Sequence, residues 1–440
     1  MKTKLIAAIM ALAAFASSAS VTISDVIVRQ QWPWNGKVNI DYVLSDPDGG
    51  EHDISVTLRN GPAVITNECG SLTGDLVGVK PGSHRIVWDP SFNTPTYQDA
   101  VMADFSATLT TLDDGNTYMV VDLSKGTSAT AEDPYPVSFM SAPPASGWTD
   151  EYKTDKLVLR RIPAGTAVLG SPTDEIGRSA SSVYLEVQRK TTFTNSFYMA
   201  VFETTQKQFK NVMGYSPQEA AIQDDRPLVF VPYQLLRGTN SFYTAAHRTG
   251  GTWPQHEATS FFGVLNSKLP ADVLAAAGLG DYEMELPTAS QWEYACRAGT
   301  TGSYNNGTTI TNETSDANAY LLAQYGGNTY ACPVVGGQKL ANAYGLYDMH
   351  GNAQELTRDH IYYNYTSGQT APIWDGTDQV EPLQYPDEKY WPAILSFGGG
   401  INNDGGTTGP KDVRSSSVIR VNPDTANRKN GFRIALTRKR

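Results

Sequence analysis

Apolar and polar positions alternate at period two in four stretches of the first quarter of the chain: 21–28, 38–43, 54–58 and 103–109. That period puts successive side chains on opposite faces of a strand. The turn formers Asp46-Pro47-Asp48-Gly49-Gly50 and Pro81-Gly82 separate these runs. His84–Asp89 reads as a late strand carrying a core tryptophan, Trp88. Further along, the pattern changes to helical spacing in three short segments. Thr205-x-x-Gln208 is a capping box followed by Phe209, Val212 and Met213 on one face, with Gly214 as the stop. Thr259 or Ser260 can cap a second helix bearing Phe262, Leu265 and Leu269. Thr288-x-x-Gln291 opens a third, where Trp292, Ala295 and Cys296 share a face and Gly299 ends the helix. Cys296 is therefore expected to point into the core.

These patterns predict a multidomain chain. Residues 20–125 read as an all-β sandwich of immunoglobulin or fibronectin III kind, a spacer or docking module without a chemical site of its own. Residues 126–153 are small, polar and proline-rich (Ser141-Ala-Pro-Pro-Ala-Ser146) and read as a linker. Residues 154–440 form one large α+β domain. Past residue 300 it is mostly Gly, Asn, Thr and Tyr with few periodic runs, so it needs pinning by metals, hydrogen bonds or disulfides.

Residues 1–19 carry Lys2 and Lys4, an apolar run from Leu5 to Phe15, and Ser17-Ser18-Ala19. This is the pattern of a secretory signal peptide cleaved after about Ala19, and it predicts a periplasmic or secreted protein. The run is too short to span a bilayer and no later stretch is apolar enough, so no transmembrane segment is expected in the mature protein. Lys plus Arg number 34 against 45 Asp plus Glu, a net charge of −11. That balance excludes nucleic acid as the main partner, which needs a basic face. Three cysteines, Cys69, Cys296 and Cys332, allow at most one bridge. Cys296–Cys332 is the candidate within one domain; the alternative is buried free thiols. The six histidines (His52, His84, His247, His256, His350, His360) show no HxH or HxxxH spacing. They read as surface residues, against an alternative cluster of His247, His256 and His360.

A chain of motifs in the second domain adds a resemblance. They run Arg161-Ile-Pro-Ala-Gly-Thr-Ala-Val-Leu-Gly-Ser171, Glu203-Thr-Thr-Gln206, Arg226-Pro227, Leu286-Pro-Thr-Ala-Ser-Gln-Trp-Glu-Tyr-Ala-Cys-Arg-Ala-Gly299, Asn342-Ala-Tyr-Gly-Leu-Tyr-Asp-Met-His-Gly-Asn-Ala-Gln-Glu355, Gly398-Gly399 and Gly431-Phe432-Arg433. In this order they resemble the sulfatase-modifying-factor family, whose best-known members are formylglycine-generating enzymes. The resemblance implies a C-type-lectin-like fold with little regular structure, stabilised by calcium. It places calcium on the Asp348 and Glu355 side chains and the Gly351 and Ala353 carbonyls. Mixed carboxylate and carbonyl oxygens in a tight loop suit that ion. The alternative makes Asp348 a capping residue and Glu355 a buried hydrogen-bonding carboxylate. A second implied calcium site would use Asn318 and Ala319, but Tyr325–Tyr330 lacks its expected carboxylate.

The catalytic part departs from the family. The resemblance calls for two copper-binding cysteines shortly after a Gly-Gly-Ser motif, a soft thiolate pair suited to Cu(I). Residues 398–414 contain no cysteine, Gly400 stands at the serine, Val413 stands where a structural cysteine is usual, and Gln354 and Leu356 replace the tryptophans flanking Glu355. Copper is therefore not expected, nor is iron. The reading is a non-catalytic, exported module that binds protein or glycan through loops carrying Asn402, Asn403, Asp404, Tyr363 and Trp374. The alternative is an oxidoreductase of formylglycine-generating or non-haem iron type with an atypical site.

Overall fold

A computed structural model of the chain describes residues 21–31, 33–47, 49–65, 72–90, 104–112, 115–178, 185–217, 223–238, 255–328, 333–362, 379–380, 382, 392–401, 408–423 and 426–439. The expected signal peptide lies outside the described residues, as do Cys69, Cys332 and His247. Tyr363, Trp374, Asn402, Asn403 and Asp404 lie outside them too.

The alternating runs at the front form two antiparallel sheets. One orders its strands Thr22–Gln30, Val38–Ser45, Gly82–Trp88, Leu72–Gly74; the other orders them Ala63–Ile65, Ile54–Asn60, Phe105–Thr111. Register follows the pattern: Ile40 pairs with Ile86 and Val38 with Trp88, so the apolar set of each strand lands on one face. Those residues meet Val56, Leu58 and Leu109 from the second sheet in one core. Trp88 is fully buried and stacks on Phe105 with centroids 5.0 Å apart.

The expected linker is not one. Tyr118–Asp122 and Val137–Met140, placed by the sequence reading at the end of the sandwich and in the linker, are strands of the second domain. They extend a six-stranded antiparallel sheet ordered Tyr282–Glu285, Ala435–Arg438, Phe197–Ala200, Lys156–Ile162, Tyr118–Asp122, Val137–Met140. The reason is burial on both faces. Met119 and Val121 enter one core while Tyr118 and Val120 enter another, so the run does not alternate. Tyr135 and Tyr152, the large side chains among the small polar ones, are both buried, and the Tyr135 hydroxyl donates to the Gly126 carbonyl at 2.8 Å.

Both capping boxes form, on Thr205 and Thr288, and Ser260 rather than Thr259 caps the middle helix. The helix Ala289–Arg297 stops one residue earlier than expected, at Ala298 in the left-handed region. A four-stranded sheet orders Ile419–Val421, Pro392–Phe397, Gln354–Tyr362, Asn430–Phe432, the last pair parallel. That helix packs against it, and its N-terminus is fixed by Asp359, whose carboxylate accepts from Ala289 N at 2.6 Å.

Buried guanidinium groups recur throughout. Arg160, Arg189, Arg237, Arg358, Arg414 and Arg433 are all nearly or fully buried. Arg160 donates to Asp53 at 2.6 Å, which ties the second domain to the sandwich. Arg414 pairs with Glu175 and Glu186. Arg237 holds Glu285 at 2.9–3.0 Å, with Arg358 3.7 Å away.

Burial alone would raise the Glu285 carboxyl, but Arg237 and Arg358 outweigh it and hold it well below the ordinary range. Removing one partner of such a pair leaves buried charge unpaired, so Glu285→Gln is expected to cost about 3–5 kcal/mol at pH 7. The folded-state value is depressed, so this stability is present above about pH 4.5 and lost as the pH falls through the lower value. Urea unfolding at pH 7 and pH 3.5 should show the gap between wild type and variant narrowing in acid. A variant within about 1 kcal/mol of wild type at pH 7 would mean that the pair contributes nothing net.

Candidate functional site

The loop Asp348–Glu355 is the most densely bonded segment the sequence singled out. Asp348 and Asn352 both take positive φ, and Gly351 sits at φ +92°. A Cβ on Gly351 would stand 2.1 Å from the Gln324 carbonyl oxygen, so only glycine fits. The Asn352 side chain ties three segments: its Oδ1 accepts from Val334 N at 2.9 Å, and its Nδ2 donates to Glu203 at 2.5 Å and to the Val334 carbonyl at 3.2 Å. Glu203 also accepts from Ala353 N at 2.7 Å.

Glu355 lies at the centre. Trp292 Nε1 donates to its Oε2 at 2.6 Å, and Arg433 donates to both oxygens through Nε and Nη2 at 2.7–3.1 Å. The other donors of Arg433 go to the carbonyls of Ala200, Val201 and Tyr347 at 2.8–3.0 Å. Every guanidinium N–H is satisfied, and each Glu355 oxygen has two donors. Sequence reasoning quoted Arg433 and Glu203 as motif letters and gave neither a role. A Gly-Phe-Arg segment and an isolated acidic residue ahead of a capping box were their only signals.

This geometry bears on the expected calcium. The ion takes six to eight oxygens. Glu355 has no oxygen to give, because Arg433 and Trp292 saturate it. Asp348 is fully buried and its Oδ2 accepts from Gly337 N at 2.6 Å. One carboxylate and the Gly351 and Ala353 carbonyls remain of the expected set, so the residues as arranged do not complete a calcium shell. The second implied site fares no better. Asp316 caps the helix Ala317–Leu322 by accepting from Asn318 N and Ala319 N. The Ala319 carbonyl accepts from Ala323 N at 2.9 Å, and the Asn318 side chain accepts from Asn306 at 3.3 Å.

Charge at the first loop is unbalanced. Burial, then the neighbouring Asp348 and Glu355, push the Glu203 carboxyl well up, and burial raises Asp348 too. Arg433 is the cation facing all three.

Cys296 is free and fully buried, as its helix face predicted. It therefore takes no part in the Cys296–Cys332 bridge. Its Sγ lies 3.9 Å from His350 Nε2, but the pair is not an activated thiolate. Burial pushes the thiol up to about 12, and burial lowers His350 to about 4. His350 Nδ1 lies 2.7 Å from the Val413 carbonyl, and its Nε2 accepts from Asn305 N at 3.0 Å, so it is a neutral core histidine. The surface reading of the histidines fails here and at His360, both about 1% exposed, and also at His52, which is buried in the sandwich. Their chain neighbours carry no helical or strand signal that marks burial.

His256 does approach a titratable cluster, with Glu283 and Glu285. Two guanidiniums, Arg237 and Arg358, already balance its two carboxylates. A divalent cation there would leave two positive charges in excess, which disfavours a metal.

The glycines just ahead of the expected cysteine pair are closely packed against backbone. A Cβ on Gly399 would meet the Asp412 carbonyl oxygen at 2.5 Å, and one on Gly400 would meet Asn352 O and Gln354 N at 3.1 and 3.2 Å. The Gln354 amide, at the position of a flanking tryptophan, donates to Ser396 Oγ.

Two outcomes follow. Iodoacetamide is expected to leave Cys296 unmodified in the native protein and to alkylate it after unfolding, as mapped by peptide mass spectrometry; native labelling would show a thiolate the geometry does not provide. EGTA is expected to lower Tm by less than about 2 °C, whereas Arg433→Met, which strands Glu355, lowers it by about 8 °C or more. A large EGTA effect would restore calcium to this loop.

Residues 149–438 match the family model described as the sulfatase-modifying factor enzyme 1-like domain. The strands Tyr118–Asp122 and Val137–Met140 add to its sheet from outside that range. No curated protein matches the chain. Among solved structures, Treponema denticola variable protein 1 is similar at 19% identity and a TM-score of 0.42, over 64% of this chain and 95% of its own. PvdO from Pseudomonas aeruginosa is similar at 19% identity and a TM-score of 0.40, over 63% of this chain and 94% of its own. The match spans well over half of the chain: this protein belongs to the sulfatase-modifying-factor family.

Proposed function

We propose that this chain is an exported, non-catalytic member of its family that uses a lectin-like scaffold to bind protein or glycan. The observation that carries the reading is the chemistry of residues 398–414. That stretch has no cysteine to form a soft-metal thiolate pair. The nearby Cys296 is a neutral buried thiol on an inward helix face. No general base stands beside it either, because His350 keeps both ring nitrogens on backbone groups.

The same reading assigns the Asp348–Glu355 loop a structural role. Arg433 supplies the positive charge that the family resemblance gives to calcium. Asn402, Asn403, Asp404, Tyr363 and Trp374, which lie outside the described residues, are the proposed ligand contacts. Their amide and aromatic groups suit hydroxyls and sugar rings. The sandwich domain in front serves as spacer or docking module of immunoglobulin-like kind. Among the described residues no helix is long and apolar enough to cross a membrane, and the net charge of −11 speaks against nucleic acid.

The test is a peptide-oxidation assay with a Cys-x-Pro-x-Arg substrate, with copper and separately with ferrous iron. The expected result is no aldehyde product above the metal-only control, while an immobilised glycan or protein array retains the mature chain. Turnover that depends on the protein would overturn the non-catalytic reading.

A further inference from the structure

A cleft of about 520 Å³ lies where the sandwich meets the second domain. This falls in the range of about 300–1,000 Å³ typical of ligand sites. The sandwich lines it with the strand Leu72–Gly74 and the run 53–56; the second domain lines it with residues 163–168, Tyr344 and the helix end 298–301. The domains are pinned beside it by Arg160–Asp53 and by Arg161, which donates to the Leu112 carbonyl at 2.8 Å.

Two features of its walls point to one class of ligand. First, both strands are sheet edges. Leu72–Gly74 ends one sheet and Gly165–Leu169 ends another, each with a single partner strand among the described residues. In an antiparallel pair, alternate residues turn N–H and C=O away from the partner, and at an edge those groups seek a further strand. Ala167 and Thr73 are small and partly exposed, so another backbone can approach there. Second, the lining is mostly aliphatic (Ile54, Val56, Leu72, Val168), and its charged residues are Asp53 and Asp75, both acidic. Asp53 is paired with Arg160; Asp75 is half-exposed, and its Oδ2 accepts from Arg85 N at 3.1 Å and lies 3.2 Å from His84 Nδ1, which leaves its other oxygen toward solvent. An anion is disfavoured and a cationic group is not.

We propose that this cleft receives an extended peptide, apolar with a basic flank, that adds as a strand along Gly165–Val168. Main-chain hydrogen bonds give affinity, and alternate aliphatic side chains enter the cleft. The site is independent of the loop at 398–414 and does not need the glycan-binding reading.

A random dodecapeptide library displayed on phage, selected on the full mature chain, is expected to enrich peptides with alternating aliphatic residues and a Lys or Arg. Resynthesised with a fluorophore, they should bind in anisotropy titrations. Ala164→Trp and Thr301→Trp, both at exposed rim positions, should each weaken binding at least 10-fold while leaving Tm within about 2 °C. N-methylation of alternate peptide amides should weaken binding to a similar degree. Lack of enrichment, or binding that survives both rim variants, would overturn the proposal. Binding that survives N-methylation would make the cleft a site for a small apolar molecule instead and would equally overturn it.

Discussion

Glu355 and Arg433 are both fully buried and 78 residues apart; Arg433 and Trp292 fill both carboxylate oxygens, and Glu355 with the Ala200, Val201 and Tyr347 carbonyls takes all five guanidinium donors. Through this pair the C-terminal strand, the strand Phe197–Ala200 and the Asp348–Glu355 loop hold one geometry. Trp292 brings the helix Ala289–Arg297 to the same carboxylate. An ion taken out of water costs several kcal/mol, and only complete pairing with good geometry offsets it. The arrangement is therefore all-or-none, and it makes an irregular chain adopt a single fold.

The same device recurs at Arg160–Asp53, Arg237–Glu285 and Arg414–Glu186. Each joins segments distant in sequence, where helices and strands are short. A planar guanidinium with five fixed donors suits this task better than apolar contact, which is non-directional. The expected pinning of the second domain is thus supplied by hydrogen-bonded charge. The loop around Glu203 and Asp348 crowds buried carboxylates together, and burial first, then the neighbouring charge, moves both carboxyls upward.

The framework of the family domain is formed by side chains that bond to one another from distant segments. The residues that hold the fold (Glu203, Trp292, Asn352, Glu355, Arg433) are present and bonded to one another. The stretch 398–414 contains no cysteine, and at its start Gly399 and Gly400 are closely packed against backbone.

Local signals in the sequence were read correctly where local physics decides. Capping boxes at Thr205 and Thr288 name their own partners three residues on, and the alternation from Val38 to Trp88 sets its own register. The inward Cys296 follows from helical spacing beside Trp292, and the ordered motifs identified the family. Three things were decided only by tertiary structure. The strand at 118–122 is buried on both faces, so it loses the alternation that marks a strand, and the strand at 137–140 is a short, partly buried sheet edge in a stretch of small and polar residues. His350 and His360 are enclosed by segments far away in sequence. Glu355 meets Arg433 through a contact across 78 residues, and a carboxylate in a loop motif looks the same whichever cation meets it. Sequence pattern determines what each segment does alone; which distant charge completes it depends on desolvation and geometry that exist only once the chain has folded.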